Sequence, residues 1–257
     1  MTARIRFAKY GVIKFIGHLD VMRYFQKVVR RSTLPVCYSQ GYSPHQLMSF
    51  AQPLSVGVTS DGEYMEIEFD DEKTMIMARD RGKSPEQYIS NELKDNMTEG
   101  FEIIAIHILP PPKPNTRQES AMSLVAAADY QISVKDGYNI GPDSPAAFNA
   151  AMEDFLAQEE ITVTKATKKQ EKTINIKEFC YPCSEFDELG AKHAEAYENG
   201  MKYRIRLAAG SQMNLKPDLV VSAFMQYLGR EYNENAFQYH RMEMYKAVQD
   251  GFLSLLG

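Results

Sequence analysis

Arg4-Ile5-Arg6-Phe7-Ala8-Lys9 alternates charged and apolar residues, and ten positions later His18-Leu19-Asp20-Val21-Met22-Arg23-Tyr24-Phe25-Gln26-Lys27-Val28-Val29-Arg30-Arg31 changes to a period near 3.6. The alternation predicts a strand with Ile5 and Phe7 on a buried face and Arg4, Arg6 and Lys9 turned to solvent. The second run predicts an amphipathic helix. Leu19, Met22, Phe25 and Val29 form its apolar side, with Arg23, Lys27, Arg30 and Arg31 on the opposite side. Pro35 ends that helix, and Val36-Cys37-Tyr38 reads as a short second strand.

Working outward, Ser39-Gln40-Gly41-Tyr42-Ser43-Pro44-His45 has the composition of a loop, with two breakers three residues apart. Glu63 to Asp70 alternates again, Ser84 caps a helix that begins with Pro85, and Phe101 to Leu109 is a β-branched run. The order strand, helix, strand, strand, helix, strand is that of the ferredoxin-like unit. Pro110-Pro111-Pro112-Lys113-Pro114-Asn115 follows as a stiff connector.

Beyond the connector the order recurs less cleanly. Asp129–Lys135 reads as a strand, Ser144-Pro145 opens a helix, and Ile161–Thr167 and Thr173–Phe179 form a hairpin. Tyr203–Ala208 is a further strand with Arg204 and Arg206 on one face, Lys216-Pro217-Asp218 opens a helix, and Tyr239–Val248 fits a strand or a helix. The expected fold is therefore α+β, two ferredoxin-like βαββαβ domains in tandem. Residues 1–109 form the first, 110–120 the linker and 121–257 the second, with an insertion at about 168–200.

The 257 residues carry a formal charge of −5, but the charge is uneven. The first fifty hold Arg4, Arg6, Lys9, Lys14, Arg23, Lys27, Arg30 and Arg31 against Asp20 alone, a net +7, so the remainder is −12. Clustering of this kind is the electrostatic footprint of a polyanion site, even where the total is acidic. The expected nucleic-acid-binding residues are Arg4, Arg6, Arg23, Lys27, Arg30 and Arg31, with Ser39, Gln40, Gly41, Tyr42 and His45 of the loop. Tyr38 and Tyr42 are candidates for stacking on bases. A second basic run, Lys165, Lys168, Lys169, Lys172 and Lys177, reads as a solvated hairpin.

His18 and His45 flank the basic helix and are the candidates for acid–base chemistry. Cys180-Tyr181-Pro182-Cys183 has the spacing of a shared metal or a redox pair. A structural zinc needs about four ligands, however, and only Cys37 and His193 remain as distant donors, so no metal or other cofactor is expected. Walker, GxGxxG and HExxH motifs are absent, as is the CxxxCxxC of a radical-generating cluster. Three cysteines, no apolar leader and no run of about 18 apolar residues predict a cytoplasmic chain that does not enter a membrane.

Several stretches resemble the bacterial family of radical SAM-linked proteins. They are Arg4–Lys9, Phe15-Ile16-Gly17-His18-Leu19-Asp20, Leu34–His45, Leu47-Met48-Ser49-Phe50-Ala51 and Pro53-Leu54-Ser55-Val56-Gly57-Val58. The likeness is dense over residues 1–70. The chain departs from the pattern at Gly17, where a serine would complete a capping box, and at Gln46-Leu47-Met48, where a basic residue is usual. Members of that family occur beside a radical SAM enzyme or as its C-terminal extension, so the resemblance implies a partner or substrate-delivery role, not the radical chemistry itself. With the basic face, it leads to the expectation of an RNA-binding accessory protein that presents a structured RNA to that enzyme. The alternatives are a scaffold that docks on an acidic enzyme and a metal-independent endoribonuclease using His18 and His45. The nuclease rests on similarity to paired ferredoxin-like RNA-processing proteins of the CRISPR type.

Overall fold

The computed structural model describes residues 1–112, 114–116, 118–166, 171–181, 191–211 and 213–257. The chain is mixed α+β, and among the described residues six α-helices accompany a large mixed sheet of nine strands and a separate two-stranded sheet.

The opening alternation forms β1 (Thr2–Lys9), and the amphipathic run forms α1 (His18–Arg31), which buries Val21, Phe25, Val28 and Val29. Gly17 stands at the helix N-cap and supplies no side-chain cap, as its lack of a side chain requires. There follow β2 (Met48–Phe50), β3 (Thr59–Glu68), α2 (Asp71–Asp80), α3 (Pro85–Asp95) and β4 (Phe101–Ile108). Ser84 accepts from Gln87 N while Gln87 reaches back to Ser84 N, so the helix predicted from Ser84-Pro85 is set by a full capping box.

The later elements are α4 (Ala121–Leu124), β5 (Val125–Val134), α5 (Pro145–Ala157), β6 (Thr162–Ala166), β7 (Glu171–Asn175), β8 (Cys180–Tyr181), β9 (Lys202–Ala208), α6 (Pro217–Tyr227), β10 (Phe237–Val248) and β11 (Gly251–Ser254). Tyr239–Val248 thus belongs to a strand, and among the described residues β6 and β7 pair only with each other.

The large sheet runs β4-β1-β3-β10-β5-β9-β8, with β2 also on β3 and β11 also on β10. Every pairing is antiparallel except β3 with β10, which is parallel and matches only His240 with Thr59 and Arg241 with Ser60. This junction is close. A Cβ on Gly62 would lie 2.5 Å from Glu243 Cα, so only glycine lets the two backbones approach this far.

Two apolar clusters flank the sheet. In the first, Phe7, Phe25, Phe50 and Phe101 meet with ring centroids 4.8–6.3 Å apart. The second is built on Phe148, Phe155 and Phe224, but it also takes in Ala51, Leu54, Val58 and Tyr64 from the first half.

Three expectations are corrected. The second strand does not lie at Val36–Tyr38. Those residues make only single bridges, Val36 with Phe69 and Tyr38 with Gln46, and the paired segment comes ten residues after Tyr38 at β2, beyond the Ser39–His45 loop. A helix, α2, follows β3 directly, started by Asp70 accepting from Lys73 N. Finally, β1 has no solvent face. It lies between β3 and β4 with Arg4, Arg6 and Lys9 all buried.

Candidate nucleic-acid interface

Eight cations head the chain, and the fold divides them in two. Arg4 of β1 faces Glu66 across the β1–β3 ladder, and its guanidinium donates to Glu66 Oε1 at 2.8 and 2.9 Å and to Leu255 O at 2.7 Å. Arg6 donates to Asp61 O and Met242 O and pairs with Glu243 at 3.0 Å. Lys9 donates to Ile16 O at 2.9 Å and Lys14 O at 3.3 Å, and burial holds its ammonium below the usual lysine range. Lys14 is bound to Glu195 and to Gln238. These four cations are interior or tied down. Arg4 takes its acid from the facing position of β3 and Arg6 from Glu243 of β10, and a buried charge persists only when it is paired or hydrogen-bonded in this way.

Arg23, Lys27, Arg30 and Arg31 are all exposed, and their spacing places them on one face of α1. Arg23 lies 3.3 Å from Asp20, an exposed pair, and Arg31 donates to Asn96 O at 2.7 Å. Among the described residues, Lys27 and Arg30 make no ion pair.

The 39–45 loop is closed on itself. Ser39 N donates to His45 O, His45 N donates to Ser39 Oγ at 3.1 Å, and Ser39 Oγ meets His45 Nδ1 at 2.8 Å. Gly41 has φ +116°, a left-handed conformation that turns the tip, and Gln40 and Tyr42 beside it are exposed, Tyr42 completely. The buried Gln46 just beyond the loop donates from its amide to Gln26 O of α1 at 3.4 Å, so loop and basic helix are neighbours. Tyr38 is also exposed.

His18 is half-buried and set edge-on to Phe50, with ring centroids 5.5 Å apart. Burial lowers its pKa; Glu63 opposes this, and Arg241 and Lys9 add to it. His45 lies in the loop, and among the described residues no hydrogen bond or ring contact joins the two histidines. Cys180 is half-buried in β8, its thiol pushed up to about 12 by burial, which makes it a poor nucleophile. Cys183, Lys168 and Lys169 lie outside the described residues. Among the described residues no group of His, Cys, Asp and Glu is arranged to hold a metal, and no helix is long and apolar enough to cross a membrane.

Sequence reading missed the charged seam at the β3–β10 junction. Arg241, 1% exposed, pairs with Glu63 through Nε–Oε1 at 2.8 Å and Nη2–Oε2 at 2.6 Å. Asp61 accepts from His193 Nδ1 at 2.5 Å and from His193 N at 3.1 Å, and lies 3.3 Å from His240 Nε2. Burial alone would push the Asp61 carboxyl up. The bonds from His240 and His193 outweigh it and bring the group down to about 2. His193 stacks on Tyr10 at 3.9 Å and reaches Glu102 through Nε2 at 3.1 Å. Acids alternating in β3 against bases in β1 were the available signal; nothing local marks His193.

Fold and surface define an α+β protein whose interior charges are paired across the sheet and whose basic helix α1 is left facing solvent. The chain belongs to the family described as an uncharacterized protein conserved in bacteria (DUF2344), which matches residues 2–217. Among curated proteins, none matches it.

Proposed function

We propose that this protein is an RNA-binding accessory factor that presents a structured RNA to a separate radical SAM enzyme, and that its two halves are tandem ferredoxin-like units. One observation carries the RNA reading: the exposed face formed by Arg23, Lys27, Arg30 and Arg31, bordered by a loop with an exposed tyrosine at its tip. Cations along one helix face track a phosphate backbone, and an exposed aromatic ring stacks on an unpaired base whatever its identity. Arg4 and Arg6 contribute to the sheet, not to this surface.

Two supports for the finer fold are the antiparallel neighbour orders β4-β1-β3-β2 and β10-β5-β9-β8. Each is what a βαββαβ unit produces, and the β6–β7 hairpin is inserted in the second. The enzyme partner rests on the family resemblance of residues 1–70, and that resemblance carries no cofactor to this chain.

Fluorescence anisotropy with a labelled hairpin RNA over a salt series tests the surface. Four phosphate contacts predict a slope of log K against log salt of about −3, at about 0.7 per single-strand contact. Charge reversal of Arg23, Lys27, Arg30 and Arg31 to Glu should abolish binding. Wild-type affinity in that variant refutes the reading, and so does the lack of binding at low salt. Co-purification of a radical SAM enzyme that survives nuclease treatment would instead assign the basic face to protein docking.

A further inference from the structure

A cleft of about 400 Å³ opens where the turn before α1 meets the start of α6 and the segment leading into β10. Its size falls in the lower part of the range of about 300–1,000 Å³ typical of small-molecule sites, which suits one nucleotide better than a dinucleotide.

Three ammonium groups line it, those of Lys14, Lys135 and Lys216. Lys14 is engaged by Glu195 and Gln238. Lys135, half-buried, and Lys216, exposed, make no side-chain hydrogen bond or ion pair among the described residues. Two acids share the lining, Asp218 and Glu234, and Asp218 already accepts from Leu219 N at 2.9 Å. Glu195 also faces Lys135 electrostatically. The two uncommitted lysines are therefore the groups positioned to receive an anion.

Aromatic rings share the lining with these lysines. Phe15 is 64% exposed, an unusual position for a ring that could pack inward, and the Lys14 ammonium lies 5.2 Å from its centroid. Opposite in the chain order, Tyr232 is half-buried and stacked on Phe237 at 6.0 Å, and its hydroxyl meets that of Tyr239 at 3.1 Å. Asn235, also in the lining, has a side-chain amide able to donate to and accept from a base edge.

We infer that this cleft binds a nucleoside 5′-monophosphate group, with its phosphate on Lys135 and Lys216 and its base against Phe15 and Tyr232. A phosphate monoester brings about −1.5 to −2 charges and three acceptor oxygens to the two lysines. The aromatic lining distinguishes this ligand from a phosphate or a sugar phosphate, because a planar base gains from contact with a ring. The group can come from a free nucleotide or from the 5′ end of an RNA. The site uses none of the α1 cations, so it stands or falls separately from the RNA surface proposed above.

Isothermal titration of the full chain with AMP, GMP, CMP and UMP tests the inference. At least one should saturate a single site, with inorganic phosphate and the matching nucleoside at least about tenfold weaker. Lys135→Ala and Lys216→Ala should each weaken binding about tenfold, the loss expected for one charge-assisted hydrogen bond, and Phe15→Ala should do the same. Thermal melts confirm that these variants remain folded. Reversal of Arg23 and Lys27 to Glu should leave nucleotide binding unchanged even if it abolishes RNA binding. Competition for the site by a 5′-phosphorylated oligonucleotide but not its 5′-hydroxyl form assigns it to an RNA end; no competition by either assigns it to the free nucleotide. No saturation by any of the four nucleotides at millimolar concentration overturns the inference. Inorganic phosphate binding as tightly as the nucleotide does too, as does unchanged affinity in the folded Lys135→Ala/Lys216→Ala variant.

Discussion

Truncating Glu63 should destabilise the protein far more than truncating any exposed acid, because its partner Arg241 cannot reach water. Arg241 is 1% exposed, and its fork is held by Glu63 through two bonds of 2.8 and 2.6 Å. Its other contacts are to neutral groups: Gln52 O at 3.2 Å, Gln52 Oε1 at 3.5 Å and the Tyr130 side chain. Glu63→Ala leaves a buried guanidinium with neutral acceptors only, a loss of about 3–5 kcal/mol. Replacing both partners, Glu63→Leu with Arg241→Met, removes the stranded charge and should recover at least half of that loss. The comparison is the pair Lys192–Glu102, where Lys192 is well exposed and screened by solvent, so Lys192→Ala should leave stability nearly unchanged. Urea unfolding of the wild type, Glu63→Leu, Arg241→Met and the double variant gives the coupling directly, with Glu63→Ala measured alongside. A Glu63→Ala cost below about 1 kcal/mol, or a double-variant cost equal to the two single costs added, would refute the claim that this pair carries the junction.

Gly62→Ala places a methyl 2.5 Å from the Glu243 backbone, which cannot yield as a side chain would. We expect loss of about 3 kcal/mol or more, and a fully stable variant by thermal melt would show that β3 and β10 are not held so close. The carboxyl of Asp61 drops from 3.8 to about 2 on folding, so it favours the folded state above pH 4, and this contribution is lost as pH falls through 2. At 1.36 kcal/mol per unit the contribution is about 2 kcal/mol. The stability difference between wild type and Asp61→Asn should therefore shrink by most of that amount between pH 5 and pH 2 in urea titrations; a constant difference would contradict it.

How much of this was legible depends on what each residue pattern reports. Capped helices were plain, because Ser84-Pro85 and Ser144-Pro145 settle their own start with local hydrogen bonds. Helix α2 was not, since Asp71-Glu72-Lys73-Thr74-Met75-Ile76-Met77-Ala78-Arg79-Asp80 buries only Thr74 and Ala78 and carries no clear apolar stripe. Strand β2 has three residues and depends on its partner β3, so no local period announces it. Of the candidate site, the α1 face was visible in helical spacing, whereas the seam joins Asp61 to His193, residues 132 positions apart.

The strand that opens the chain shows why charge alternation misleads. Arg4-Ile5-Arg6-Phe7 read singly has one apolar face and one charged face, and charge is ordinarily wet. Glu63-Tyr64-Met65-Glu66-Ile67 read singly gives the same answer. Once the strands are assembled, Arg4 meets Glu66 across the ladder and Arg6 meets Glu243 of β10, so the charges are answered inside the fold and a second layer can cover them. Half of the opening cluster of eight cations is thereby consumed inside the fold, and the polyanion argument must be carried by the other half. Those four lie on a helix whose opposite face is fixed by Phe25 and Val28 in the core, so they cannot turn inward for partners of their own. A cation that neither burial nor pairing explains is the one for which an external phosphate is the simplest counter-charge, and Lys27 and Arg30 are where that argument is strongest.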